Sequence, residues 1–308
     1  MSEADSLRVF GSLRIFTSAG VELRRDALQR AKQRLRALGF AAQLDPSVRA
    51  RHLRFAGDDA VRLATLHRVA DEAPSIAMAC RGGYGMTRLL DAIDWKRIAR
   101  SVDRGTRWVG YSDMTALQLG LLAHTGRPSW AGPMACDDFG RRDEEGGVDE
   151  VTRDCFVEAM TGVLQAVGFR TDAGHDGLHV RGTLWGGNLT MICSMLGTRH
   201  FPRIKGGILF VEDVNEHPYR VERCLLQLHQ AGVLAQQKAV LIGAVSGWNA
   251  SPLDRGYTMK SAVAHVRSVA RVPVLTGFAF GHVPTKVTVP VGGRVALAVQ
   301  ARDAFVGW

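Results

Sequence analysis

The sequence predicts an α/β protein, with a parallel-sheet N-terminal domain covered by helices and a smaller, β-rich α+β C-terminal domain. Three observations carry this. Residues 75–80 (Ser-Ile-Ala-Met-Ala-Cys) form a wholly apolar run, as expected of a strand buried on both faces of a parallel sheet. Such runs alternate with stretches of helical periodicity, so consecutive strands are joined by crossover helices. Towards the C-terminus the pattern changes to alternating apolar and polar residues over 286–290 and 294–299. A chain of 308 residues can hold two ordinary domains. The polar stretch 168–177 predicts the division, giving domains 1–167 and 168–308.

Taken in order, residues 7–16 predict a first strand, ending at Thr17-Ser18-Ala19-Gly20. Leu28, Ala31, Leu35 and Leu38 then share one face of a helix that Gly39 closes. Residues 40–44 are a short second strand, and a helix carrying Val61, Ala64, Leu66 and Val69 begins around Asp58-Asp59. The strand 75–80 runs directly into Arg81-Gly82-Gly83-Tyr84-Gly85, with a helix expected over 86–93. Trp108 and Val109 end a strand at Gly110, after which Met114, Leu117, Leu121 and Leu122 repeat at helical spacing. Trp130 to Pro133 closes this half, 137–150 reads as a loop and 151–164 as a helix. In the second half, strands are expected over 180–184, 207–211, 239–245 and 272–277. Gly186-Gly187-Asn188 opens one helix that runs through Leu196, and 221–234 is another.

Composition excludes several classes. Hydrophobic content of 46% and charged content of 22% are those of a soluble globular protein. No charge-free run reaches about 18 apolar residues, and the acidic N-terminus lacks the features of a signal peptide. The five cysteines are odd in number and lack C-x-x-C spacing, which fits reduced thiols in a cytoplasmic protein better than disulfides or zinc ligands. The net charge of +9 comes without a nucleic-acid motif, and the arginines are spread over helices rather than clustered. The expected partner is therefore neither nucleic acid nor membrane; an anionic small substrate suits the charge.

Candidate chemistry lies at turns. Ser112 stands between a strand and a helix, beside N–H groups at the positive end of that helix, where a nucleophilic hydroxyl is presented. By itself, Ser112-Asp113 reads more readily as a helix N-cap, since Ser and Asp are strong caps. Glu212 follows the apolar run 207–211, and His282 follows Gly281 in a turn. A serine hydroxyl needs a base, which histidine with an unperturbed pKa of about 6.5 supplies, and a carboxylate fixes the imidazole tautomer. The other readings are an ion pair of Glu212 with Arg220 or Arg223, and a hydrogen-bonded turn histidine. The glycine loop 81–85 either cradles phosphate or supplies half of an oxyanion hole completed by the Asp113 N–H. Its spacing matches neither the Walker nor the dinucleotide fingerprint.

Several motifs together resemble the LD-carboxypeptidase family of serine peptidases, also called muramoyltetrapeptide carboxypeptidases. They are Arg81-Gly-Gly-Tyr-Gly85, Gly110-Tyr-Ser-Asp-Met-Thr-Ala-Leu117, Gly132-Pro-Met134, Leu184-Trp-Gly-Gly-Asn-Leu-Thr190, Leu209-Phe-Val-Glu-Asp-Val214 with Tyr219-Arg220, and Gly281-His282. The resemblance runs in order from near Leu13 to the C-terminus. It implies Ser112 as nucleophile, Glu212 and His282 as its partners, and the N–H groups of Asp113 and Gly83 as oxyanion donors. It also implies a flavodoxin-like first domain, a site between the domains, no metal or cofactor, and a homodimer. The substrate it implies is a murein tetrapeptide, which loses its terminal D-alanine during cell-wall recycling. One departure is Thr17-Ser18-Ala19, where members commonly have Pro-Ser in the first βα turn. Arg81 and Arg223 are candidate carboxylate clamps through bidentate pairing. Two rivals are a microcin C immunity-type peptidase acting on a peptidyl-nucleotide, with Trp185 as adenine platform, and a catalytically silent anion-binding module. Because the serine and its partners come from different domains, an open, unliganded form is expected to hold His282 out of reach of Ser112.

Overall fold

The computed structural model describes residues 10–308. Its first sheet is built from β1 (Gly11–Phe16), β2 (Phe40–Leu44), β3 (Ile76–Ala79), β4 (Arg107–Gly110) and β5 (Ser129–Ala131). These pair in parallel in the order β2-β1-β3-β4-β5, which is the flavodoxin-like order. Residues 7–9 of the expected first strand lie outside the described residues. Five helices cover the sheet: α1 (Arg25–Ala37), α2 (Asp59–Glu72), α3 (Trp95–Asp103), α4 (Met114–Thr125) and α5 (Glu150–Thr161). Successive strand side chains point to opposite faces, so both must be covered. Ile76, Met78 and Cys80 share a core with α1 and α5, whereas Ala77 and Ala79 share one with α2, α3 and α4.

The second lobe contains β6 (Ala166–Arg170), β7 (His179–Asn188), β8 (Gly207–Val214), β9 (Gln237–Ser246) and β10 (Val274–Thr276), with α6 (Leu189–Met195), α7 (Pro218–Gln230) and α8 (Met259–Val269). After these, β11 (Val289–Val291) leaves the lobe and pairs antiparallel with β5 of the first sheet. β12 (Arg294–Gln300) and β13 (Asp303–Gly307) then return, completing a seven-stranded mixed sheet of order β10-β9-β8-β7-β12-β13-β6.

Two expectations differ from what is found. The division at 167/168 falls inside β6, and β11 crosses back, so the sheets do not split the chain at a single point. The helix expected over 86–93 is only a 3-10 turn, Met86–Arg88. Its first N–H is taken by Asp113, and Asp94 starts α3 afresh by accepting the Arg97 N–H at 3.0 Å. One apolar core runs from α2, α3 and α4 into β7, β8 and α7. Swinging the lobes apart would expose that core. No helix among the described residues is long and apolar enough to cross a membrane.

Candidate active site

Ser112 occupies the turn between β4 and α4 with φ of +62°, in the left-handed region. That conformation costs a non-glycine residue roughly 1–2 kcal/mol. The turn is held by Met114 N–H to Tyr111 O at 3.2 Å and Thr115 N–H to Ser112 O at 2.9 Å. Ser112 is half-buried, and its Oγ makes no hydrogen bond among the described residues. The N-cap reading fails: neither Ser112 nor Asp113 caps α4 through its side chain. Instead, the Asp113 carboxylate reaches sideways and accepts the Met86 N–H at 2.8 Å.

The glycine loop lies against this turn. A Cβ on Gly82 would stand 2.7 Å from both Cβ and Oγ of Ser112 and 3.5 Å from the Asp113 nitrogen. Gly83, expected to supply the second oxyanion donor, is one residue further on and packs on Gly20. Among the described residues no acceptor takes the N–H of Asp113 or of Gly83, so both remain free for a ligand. Gly82 does not have positive φ, and Gly82→Ala therefore tests crowding alone. We expect it to lower kcat/KM by about 100-fold, because displacement of a reacting group by roughly 1 Å costs that much. Steady-state kinetics beside circular dichroism would check this.

Asp113 is itself unusual. Burial pushes its carboxyl up to about 7, partly offset by the Met86 N–H and by Arg62. A carboxyl whose folded-state pKa is raised binds its proton more tightly folded than unfolded. Stability is then greatest below the unfolded value and declines as pH rises towards about 7. Asp113→Asn should flatten this part of the profile, so the variant gains on the wild type in melting temperature between pH 5 and pH 8. Equal slopes in thermal melts across that range would refute it.

From the second lobe, β8 carries Glu212, whose side chain is fully buried. Its Oε2 lies 2.7 Å from His282 Nδ1, although the two residues are 70 apart in sequence. Glu212 pairs with neither Arg220 nor Arg223; Arg220 faces Glu216 and Tyr219 instead. The His282 ring stands edge-on to Tyr111, 4.8 Å between centroids, and Ser246 Oγ donates to its carbonyl at 3.1 Å. With Nδ1 engaged by a carboxylate, Nε2 is the free nitrogen, oriented to accept a proton. Ser112 and His282 are not hydrogen-bonded to each other; the hydrogen bond of the His282 ring is the one to Glu212.

The lobes are registered by polar contacts beside the serine. Thr115, three residues after it, accepts the Asn188 N–H at 3.0 Å, and Asn188 Nδ2 donates to Asp213 at 2.9 Å. Gly187 permits this approach, since a Cβ there would lie 2.5 Å from Thr115 Oγ1. The Gly-Gly-Asn motif, read from sequence only as a helix opening, thus also links the serine turn to the residue next to Glu212.

The proposed substrate contacts fare unevenly. Arg81 is half-buried and donates to Val21 O at 2.8 Å, beside the glycine loop. Arg223 is exposed on α7 with no polar partner among the described residues, and nothing connects it to the serine. Trp185 is completely buried and donates its Nε1–H to Gln237 at 2.9 Å, so it has no face for a nucleobase; the core claims it. A cavity of about 270 Å³ opens beside His282, lined by Tyr111, Asp137, Asp138, Arg141 and Lys286. Lys286 and Asp138 form a buried ion pair beneath the Tyr111 ring. Sequence reasoning missed Arg141, which lies in the stretch read as a plain loop. Gly20, just after the departure at Thr17-Ser18-Ala19, meets the glycine loop, donating its N–H to Gly82 O at 3.1 Å. Glu22, Cys80 and Cys136 bring possible metal-binding atoms within 4.8 Å of one another. Both Glu22 oxygens already accept from Arg24, and Arg81 lies close by, which disfavours a cation there.

Comparison with known proteins bears on this geometry. Residues 14–132 match the family model of the LD-carboxypeptidase N-terminal domain, and residues 181–297 that of the C-terminal domain. The crystal structure of a muramoyltetrapeptide carboxypeptidase from Oxalobacter formigenes is 40% identical, covers 96% of this chain and 99% of that one, and superposes with a TM-score of 0.87. The murein tetrapeptide carboxypeptidase of Pseudomonas aeruginosa is 33% identical over 71% of each chain. The microcin C7 self immunity protein MccF shares the fold, at 21% identity over 98% of this chain and 97% of that one, with a TM-score of 0.83.

Proposed function

Since the chain belongs to the LD-carboxypeptidase family of serine peptidases, we infer that it is a serine carboxypeptidase that releases the terminal D-alanine of murein tetrapeptides, cutting between an L-centre and a D-residue. Ser112 Oγ attacks the scissile carbonyl while His282 Nε2 takes its proton. Glu212 holds the imidazole by Nδ1 and stabilises the imidazolium. The oxyanion is met by the N–H groups of Asp113 and Gly83. Collapse of the tetrahedral intermediate breaks the amide bond, and His282 returns the proton to the departing amine of D-alanine. Water, deprotonated by the same imidazole, then cleaves the Ser112 ester. Substrate binding brings the hydroxyl and imidazole into contact, as hydrogen bonds that are long without substrate tighten on binding.

The observation that carries this reading is the hydrogen-bonded pair of buried Glu212 and half-buried His282, with its free nitrogen, together with a serine in a left-handed turn of the other lobe. The cavity beside His282, with Arg141 in its lining, suits the anionic end of a stem peptide. The reaction is assigned to the cytoplasm, as part of cell-wall recycling, and to a homodimer. All five cysteines are free, including Cys80 and Cys136 with sulfurs 3.2 Å apart, as a reducing compartment keeps them. The immunity-type alternative loses its aromatic platform with Trp185 buried. Incubation with a purified muropeptide beside an aminoacyl-adenylate mimic, followed by mass spectrometry, tests the assignment. Loss of one alanine from the muropeptide supports it, and cleavage of the mimic alone overturns it.

A further inference from the structure

One peptide unit of the glycine loop is gripped from both sides by buried side chains. The carbonyl of Gly85 accepts from Arg62 Nη1 at 2.8 Å, and the N–H of the same unit, on Met86, donates to Asp113 Oδ2 at 2.8 Å. Arg62 is wholly buried, with a second bond to Ser18 O at 3.1 Å, and its guanidinium lies 4.6 Å from the Phe55 ring centroid. The Asp113 side chain is buried as well, and its Oδ1 has no partner among the described residues. Burying a carboxyl that leaves one oxygen unanswered is costly, and a structural cap would need no such arrangement. Asp113 also follows Ser112, so its backbone N–H and its side chain serve two halves of one turn.

We propose that the Asp113 side chain is a positioning residue, setting the spacing between the two oxyanion donors by tying the glycine loop to the serine turn. This rests on the serine-peptidase reading above. The Asp113 N–H moves with the turn and the Gly83 N–H moves with the loop. No other side chain among the described residues hydrogen-bonds a backbone group of 82–86 from the serine turn. The tie requires only an acceptor oxygen, not a charge. Asparagine can therefore replace aspartate there, whereas alanine leaves the Met86 N–H unpartnered.

The test compares D113A and D113N on a murein tetrapeptide, with folding followed by circular dichroism. D113A is expected to lower kcat by about 100-fold, the scale of one lost oxyanion donor, with KM within about threefold of wild type. D113N is expected to recover most of that loss. Affinity for a tetrahedral phosphonate should fall in D113A much more than affinity for the tripeptide product, a ratio independent of the amount of folded protein. If D113A is recovered unfolded, D113S, whose hydroxyl is too short to reach Met86, takes its place. A folded D113A with wild-type kcat, or a D113N no better than D113A, overturns the proposal. No hydrolysis by the wild type would instead overturn the parent reading, and this inference with it.

Discussion

Ser112→Ala is expected to abolish hydrolysis while leaving the fold in place. Removing the nucleophile of a serine peptidase lowers kcat by about a million-fold, to what binding and the oxyanion donors retain. The substitution deletes one oxygen that has no hydrogen-bond partner among the described residues, so no buried group loses its own. Alanine meets the same left-handed backbone that serine already tolerates at φ of +62°. The melting temperature should therefore stay within about 4 °C of wild type, the shift that roughly 1 kcal/mol produces in a chain of this class. Release of alanine by mass spectrometry, beside a thermal melt, reads both halves. Retained turnover in a folded variant would remove Ser112 from the mechanism. A silent anion-binding module predicts a different result, because its affinity for an anion would hardly notice the hydroxyl.

Glu212→Gln is expected to cost kcat about ten-thousand-fold, the scale seen when the carboxylate of a serine triad becomes an amide. The amide preserves the shape of the site. It removes the negative charge 2.7 Å from His282 Nδ1, and it can present an N–H there. With a donor facing Nδ1, the imidazole proton moves to Nε2, and the ring can no longer accept from Ser112. Glu212 Oε1 has no partner among the described residues, so an amide group in its place is also unanswered. A stability loss of about 1–3 kcal/mol should accompany the kinetic effect. Single-turnover labelling by a serine-reactive phosphonate would slow in parallel if the carboxylate acts through the histidine. Wild-type labelling in a folded Glu212→Gln would show that it does not.

Local chemistry made much of this molecule legible. The turn that carries Ser112 is legible because a strand, a turn and a helix follow one another within a few residues, and each leaves a periodic or compositional trace. Asn188 was read correctly as a helix start, and its side chain does cap α6 by accepting the Met191 N–H at 3.1 Å. The errors are equally local in origin. A tryptophan beside glycines in a strand carries no mark of depth, so Trp185 reads as an available platform, whereas the sheet buries it completely. The run 86–93 has helical apolar spacing, but Asp113 takes the first N–H and α3 starts again at Trp95. Charge alone points to Arg223, whereas Arg141, which does line the cavity beside His282, lies in a polar stretch that reads as a plain loop.

By itself, the sequence determined the α/β class, the succession of most strands and helices and the strand–turn–helix that carries Ser112, and motif resemblance named Glu212 and His282 as candidate partners. These rest on periodicity, capping and turn composition, which act over a few residues and are written in adjacent letters. Only the tertiary structure decided that Glu212 meets His282, that Asp113 serves the glycine loop rather than its own helix, and that β11 returns to the first sheet. Those contacts join residues from 27 to 158 positions apart, as with Met86 to Asp113 and Ala131 to Val289. Chain separation leaves no trace of such a meeting; burial and the demand of polar groups for partners enforce it once the chain has folded.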